Sequence, residues 1–224
     1  MRLVVFVEGA TEEAFVNTVL KPHLAGLVVN AVVAGKQKAR GSEPRAHGGG
    51  SWSGWRRDLE RLVREQPGND VRFTTMFDLY GLPAGFPGLA EHGADVDTRR
   101  RCEQLEAALA NEMADWRLIP YLQRHEFEAL VLAALPALRD WLDRGEIDAL
   151  SEAIAGLDPE DVNDGADTAP SKRLLRHLRG YRKALHGPLV IESAGLPELR
   201  RRCPRFGTWL ARLEALTNER ATSR

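Results

Sequence analysis

The 224-residue chain has only two cysteines, Cys102 and Cys203, and they form no CxxC pair. A disulfide framework and a zinc site are therefore unsupported, and both residues read as free thiols. Long apolar runs are also missing, which excludes a membrane span. No basic segment leads into an apolar stretch with a small-residue cleavage site at the N-terminus, so the expected location is the cytoplasm. Net charge is nearly absent, at −1. What remains is globular: 43% hydrophobic and 28% charged residues, enough for one α/β domain with additions or a domain and a smaller helical lobe.

Two apolar runs end on an acid. RLVVFVEGATEEAF at the N-terminus carries a β-branched and aromatic strand over Leu3 to Val7, closed by Glu8-Gly9. A helix start follows at once, with Thr11 as the expected N-cap and Glu12 and Glu13 in the first turn, where the helix dipole favours negative charge. VRFTTMFDLYGLP, residues 71–83, is a second such strand, ending on Asp78. Ligands of open α/β sheets sit outside the carboxyl ends of the strands. If these strands are parallel neighbours, Glu8 and Asp78 meet at one edge, where two carboxylates repel unless a cation or proton lies between them. Such hard oxygen donors suit Mg²⁺ or Mn²⁺. The competing reading is that Asp78 only turns the chain before Gly81-Leu82-Pro83.

Along the chain, residues 11–24 have helical periodicity with Phe15 and Val19 inward, and LVVNAVVAG, 27–35, is a strand. Residues 35–54 are rich in glycine, serine and base without periodicity, a long loop of the kind that is functional or disordered. A helix over 54–66, the strand ending in Asp78, and a charged helix over 97–114 follow. WRLIPYLQ, 116–123, is a fourth strand interrupted at Pro120, hence an edge or bulged one. Strands alternating with helices indicate a mostly parallel, three-layer α/β sheet of four strands over residues 1–125. From RHEFEALVLAAL, 124–135, the pattern turns helical without a repeat, so residues 126–224 are expected to form a helical lobe packed on the sheet.

HEFE, 125–128, supplies a third acidic position. On a helix Glu126 and Glu128 would point roughly 200° apart, so one of them singly is expected to join Glu8 and Asp78, with His125 beside it; alternatively HEFE caps the helix. Charge is segregated: residues 140–167 contain Arg144 as their single base, whereas 165–224 are strongly basic. Lys36, Lys38, Arg40 and Arg45 in the long loop, and Lys172 and Arg173 of APSKRL, are candidate nucleic-acid contacts. The alternatives are a solvated loop and a helix start capped by Ser171. The stripe Trp209, Leu210, Leu213 and Leu216 is either core or a partner surface.

VEGATEE and FDLYGLP together resemble the toprim domain of topoisomerases, bacterial primases and the overcoming-lysogenisation-defect nucleases. With LQRHEFEALV, APSKRL and CPRFGTWLARLE, the whole chain looks like the bacterial domain-of-unknown-function family 4276, regarded as toprim-like. The resemblance implies that Glu8 is the toprim glutamate, a metal ligand or proton donor to a leaving oxygen. It implies that Asp78 is the first aspartate of the Asp-x-Asp pair. The second would fall at position 80, where this chain has Tyr80, a poor Mg²⁺ ligand near neutral pH. Either Glu12, Glu126 or Glu128 completes the site, or catalysis has been lost. The implied functions are a Mg- or Mn-dependent nuclease or phosphoryl-transfer enzyme, or a non-catalytic partner of an ATPase.

Overall fold

The computed structural model describes residues 1–35, 51–94, 97–162 and 168–222. Its centre is a parallel sheet in the order β2-β1-β3-β4, where β1 is Arg2–Val7, β2 Val28–Val33, β3 Val71–Asp78 and β4 Leu118–Ile119. The fourth strand expected from sequence is divided at Pro120, and its second part, β5 (Leu122–Gln123), also pairs with β3. Proline has no N–H for a sheet ladder, so the interruption falls on this edge. In register, Leu3 lies opposite Val29 on one side and Arg72 on the other, and Val7 lies opposite Val33 and Met76.

β1 is apolar at every position after Arg2 because both of its faces are covered, the usual situation in a parallel sheet. Leu3, Val5 and Val7 enter one core, Val4 and Phe6 the other. The second core is closed by α3 (Trp52–Glu65) and α5 (Thr98–Met113). Trp52, Trp55, Leu59 and Leu62 recur at helical spacing and are buried, and the Trp55 ring lies 4.6 Å from that of Phe77. Cys102 and Cys203 are buried free thiols, and burial pushes the Cys102 thiol up to about 12.

The first core extends into the helices that follow the sheet: α6 (Glu128–Ala133), α7 (Arg144–Ala153), α8 (Pro170–His177), α9 (Lys183–Ala194), α10 (Leu196–Arg202) and α11 (Pro204–Thr222). The stripe Trp209, Leu210, Leu213 and Leu216 is buried here, which removes it as a partner surface. The Trp209 ring stacks on Tyr121 at 4.5 Å and 13°, and its indole N–H donates to the Thr74 hydroxyl at 2.9 Å. That hydroxyl in turn donates to the Ile119 carbonyl at 2.6 Å. Three acids of the 140–167 tract find donors elsewhere in the fold. Glu160 accepts from the N–H groups of Arg205 and Phe206 at the start of α11, Asp161 pairs with Arg124, and Glu146 pairs with Arg179.

Two local expectations are corrected. Gly9, not Thr11, is the N-cap of the first helix (Ala10–Phe15), because the Glu12 carboxylate reaches back to accept from the Gly9 N–H at 2.9 Å. That helix continues through a π-helical turn, Val16–Leu20, into Lys21–His23. The helix expected from residue 124 begins at Glu128, so His125 and Glu126 belong to the turn before it.

Candidate functional site

Because β1 and β3 are adjacent and parallel, their carboxyl ends open on the same edge. Glu8 is the first residue beyond β1 and Asp78 the last of β3. The Glu8 carboxylate accepts from the Asp78 N–H at 3.3 Å. It leans over the 3₁₀ turn Leu79–Gly81 so closely that a Cβ on Gly81 would lie 2.7 Å from the Glu8 Cδ and collide with both carboxylate oxygens. Glycine is needed here for close approach rather than for an unusual backbone angle. The Asp78 Oδ1 accepts from the Phe127 N–H at 2.8 Å, which ties β3 to the HEFE turn.

Three further acids surround this pair. Glu12 and Glu128 are buried, while Glu8, Asp78 and Glu126 are half-buried. Glu126 lies in the turn and accepts from the Ser171 N–H at 2.9 Å in the first turn of α8. Its carboxylate, not the Ser171 hydroxyl, serves that helix start, whose N-cap is Ala169 without a side-chain hydrogen bond. Glu128 pairs with the Lys183 ammonium at 3.4 Å. Glu126 and Glu128 both act on Asp78, because one precedes the helix and the other begins it; the 200° separation of a continuous helix does not apply.

The cluster carries more negative charge than its surroundings support. Burial, then Glu12, Glu8, Glu128 and Glu126, hold the Asp78 carboxyl well above the usual carboxylate range. Burial and then Glu12 push Glu8 up to about 7 despite the Asp78 N–H, and burial pushes Glu128 to about 7 despite Lys183. Glu12 is also raised by burial, opposed by hydrogen bonds from its own N–H and that of Gly9 and by Lys183. Lys183 is the cation that bears on Glu8, Glu12 and Glu128 alike. It is brought over the cluster by the close packing of α9, where a Cβ on Gly187 would meet Phe127 at 3.3 Å and Thr11 at 3.4 Å.

Tyr80, at the position where the resemblance to toprim domains would put a second aspartate, remains 41% exposed. Its hydroxyl lies 3.0 Å from His125 Nδ1, and its N–H donates to the His125 carbonyl at 3.1 Å. His125 adopts φ 62°, a left-handed backbone that non-glycine residues adopt infrequently. Lys172 is exposed on α8, and Arg173 is half-buried with its Nε donating to the Thr168 carbonyl at 2.9 Å. The positions of Lys36, Lys38, Arg40 and Arg45 lie outside the described residues. Sequence reasoning missed Lys183 and the contact of Gly81 with Glu8. YRK carries no local signal of a site 55 residues away at Glu128, whereas the glycine three residues after Asp78 was a visible cue.

A divalent cation fits the chemistry of this donor set. All five acids offer hard oxygens, and a dication would offset the mutual repulsion of carboxylates gathered at one edge. Among the described residues, no group of three or more His, Cys, Asp or Glu side chains is disposed to hold a metal ion. One oxygen each of Glu8, Glu12, Asp78 and Glu126 is turned onto a backbone N–H group, and Glu128 onto Lys183.

The family described as Domain of unknown function (DUF4276) matches the chain over residues 7–214. Two solved structures of the C-terminal region of the Xanthomonas campestris pv. campestris OLD protein are similar at 18% identity. One, phased with iodine, has a TM-score of 0.41 over 98% of this chain and 97% of that one. The other, phased with platinum, has a TM-score of 0.39 over 100% and 97%. A search of curated proteins finds no match.

Proposed function

We propose, for a chain that belongs to the DUF4276 family, that the carboxylate cluster is the divalent-cation centre of a toprim-type nuclease or related phosphoryl-transfer enzyme. The observation that carries this reading is the set of acids with raised pKa values, Glu8, Glu12, Asp78 and Glu128, at the carboxyl edge of a parallel sheet. Structural acids are normally paired one to one with bases; here Glu8, Glu12 and Glu128 share one lysine, and Asp78 is surrounded by acids. Perturbed groups gathered in this way mark candidate functional sites.

Glu8 and Asp78, with Glu12 and either Glu126 or Glu128, would hold Mg²⁺ or Mn²⁺. The bound ion would supply charge neutralisation at a phosphate and a more acidic water. Lys183 would offset negative charge developing on the phosphoryl group. Lys172 and Arg173, beside the Ser171 N–H that Glu126 accepts, would contact the nucleic-acid backbone. The proposed setting is the cytoplasm.

Tyr80 at the second aspartate position and the occupation of each carboxylate by an internal donor favour a second reading. In that reading the cluster is inherited and the protein acts as a non-catalytic partner of an ATPase. Incubation with single- and double-stranded DNA and RNA, with and without Mg²⁺ or Mn²⁺, separates the two. Metal-dependent cleavage that disappears in Asp78→Asn supports the enzyme. No cleavage on any substrate, with no metal-induced change in melting temperature, rejects it.

A further inference from the structure

Tyr80 is an exposed aromatic ring held in one place at the edge of the carboxylate cluster. It is 41% exposed, and its turn lies against the Glu8 carboxylate through Gly81. Its backbone N–H and its hydroxyl both meet the same residue, His125, at 3.1 Å to the carbonyl and 3.0 Å to Nδ1. The His125 ring is buried and lies 5.2 Å from the Tyr80 ring, so the anchor is itself fixed. Both polar ends of Tyr80 are thus engaged, and the surface it offers solvent is aromatic. The left-handed backbone of His125, φ 62°, costs free energy, and conformations of that kind gather at functional sites. A single exposed aromatic needs no explanation. One that a strained, buried residue holds rigid beside a cluster of acids does.

Arginines continue this edge. Gln123 of β5 lies opposite Asp78, and Arg124 follows it. The Arg124 Nε donates to the Thr98 hydroxyl at 2.6 Å, which brings the first turn of α5 to the same edge. That turn carries Arg99, Arg100 and Arg101 and no acid, although a helix N-terminus disfavours cations. Arg99 and Arg100 are exposed. Arg99 lies 3.5 Å from Glu103 in a pair open to solvent, a contact that contributes little. Asp97 caps the turn by accepting from the backbone N–H groups of Arg99 and Arg100, which leaves their guanidinium groups outside the cap. Arg124 is bound to Asp161 and serves as the link between the two turns.

We propose that single-stranded nucleic acid runs along this edge, with one base stacked on the Tyr80 ring and the adjoining phosphates passing Arg99 and Arg100 toward the carboxylates. A positively charged track with an aromatic platform binds single strands without regard to sequence, because every base has a π-face. A duplex keeps its bases stacked on one another and offers the ring nothing, so the substrate class is single-stranded. This rests on the phosphoryl-transfer reading above and names the form of nucleic acid that reading leaves open. Tyr80 acts on binding, not on the chemical step.

The test measures binding to the full chain in Ca²⁺, a hard cation that also takes carboxylate oxygens, by fluorescence anisotropy of labelled strands. The probes are an oligothymidylate, an abasic strand of equal length that keeps the phosphates and lacks the bases, and a duplex. The oligothymidylate should bind most tightly. Tyr80→Leu should lower that affinity about fivefold to a hundredfold, the range for one base stack, and leave the abasic strand unaffected. Tyr80→Phe, which keeps the ring, should keep the preference. Arg99→Ala with Arg100→Ala should weaken both single strands and reduce the salt slope by about 1.4, two contacts at about 0.7 each. Three results overturn the proposal and leave the phosphoryl-transfer reading standing: equal affinity of the parent for all probes, unchanged affinity in Tyr80→Leu, or an unchanged slope in the arginine variant. Equal loss of both single strands in Tyr80→Leu, together with loss of its Mn²⁺ shift in melting temperature, assigns Tyr80 to the fold and overturns it too. A parent that binds no strand also overturns it, and only if Mn²⁺ stabilisation is absent as well does the phosphoryl-transfer reading fall.

Discussion

The carboxylate of Glu8 accepts a hydrogen bond from the backbone N–H of Asp78 at 3.3 Å, joining the carboxyl ends of two strands that are 70 residues apart in sequence. One acid is thus steadied by the backbone of the other while their side-chain charges repel. The consequences of that arrangement can be measured.

Metal binding should stabilise the protein. Mn²⁺ at about 100 times its dissociation constant contributes about 2.7 kcal/mol of apparent stability, read as a rise in melting temperature that scales with concentration. Asp78→Asn keeps an oxygen for the Phe127 N–H, so the variant should fold and be at least as stable without metal. It should gain little from Mn²⁺. An unchanged melting temperature of the parent in millimolar Mn²⁺ would sink the shared site.

The metal-free protein should lose stability as pH rises from about 4.5 to 7. Glu8 and Glu128 have folded pKa values near 7 against an ordinary 4.5. Between those values the folded state holds protons that the unfolded state has released, so unfolding free energy falls with pH. The loss is complete once both states are ionised. Each group can contribute up to about 1.4 kcal/mol per pH unit in that window. Urea titrations at pH 5 and 7.5 should show the fall. Glu8→Gln should reduce it, and Mg²⁺ should flatten it.

Gly81→Ala should act on the site rather than on the fold. The added Cβ cannot coexist with the Glu8 carboxylate where it stands, so Glu8 must leave the Asp78 N–H. Expected outcomes are a dissociation constant for Mn²⁺ raised at least about tenfold, which is about 1.4 kcal/mol, and a metal-free stability change within about 2 kcal/mol. Wild-type Mn²⁺ affinity in this variant would show that the position of Glu8 is immaterial.

Trp209→Phe tests how the helices after the sheet are attached to it. The variant loses the buried N–H bond to Thr74 and part of the stack on Tyr121. A destabilisation of about 2 to 4 kcal/mol is expected, seen as a lower urea midpoint with an unchanged slope. Bound-metal stabilisation should persist, because Trp209 packs on Thr74, Tyr121 and Phe206.

The strands and the acids at their ends were legible because their signals are local. RLVVFV has no polar residue beyond Arg2, as a strand covered on both faces requires, and the run stops at Glu8; VRFTTMFD stops at Asp78. Pro120 was legible for the same reason. The cap at Gly9 was not, since a glycine has no side chain with which to announce itself, and the cue was Glu12 three residues on. The partner of Glu160, one acid of the 140–167 run, was equally hidden: its carboxylate accepts from the backbone N–H groups that begin α11.

By itself, then, the amino-acid order determined which residues are buried in the strands, where each strand ends, and that the ends are acidic, because alternation, chain stiffness and missing N–H groups act over a few neighbours. Only the tertiary structure decided that β1 and β3 are adjacent, that the start of α9 sets Lys183 against Glu128, and that Trp209 reaches Thr74 of β3. Those outcomes depend on packing between segments far apart in the chain, where the burial of apolar faces, and not the identity of any neighbour, selects which charges meet.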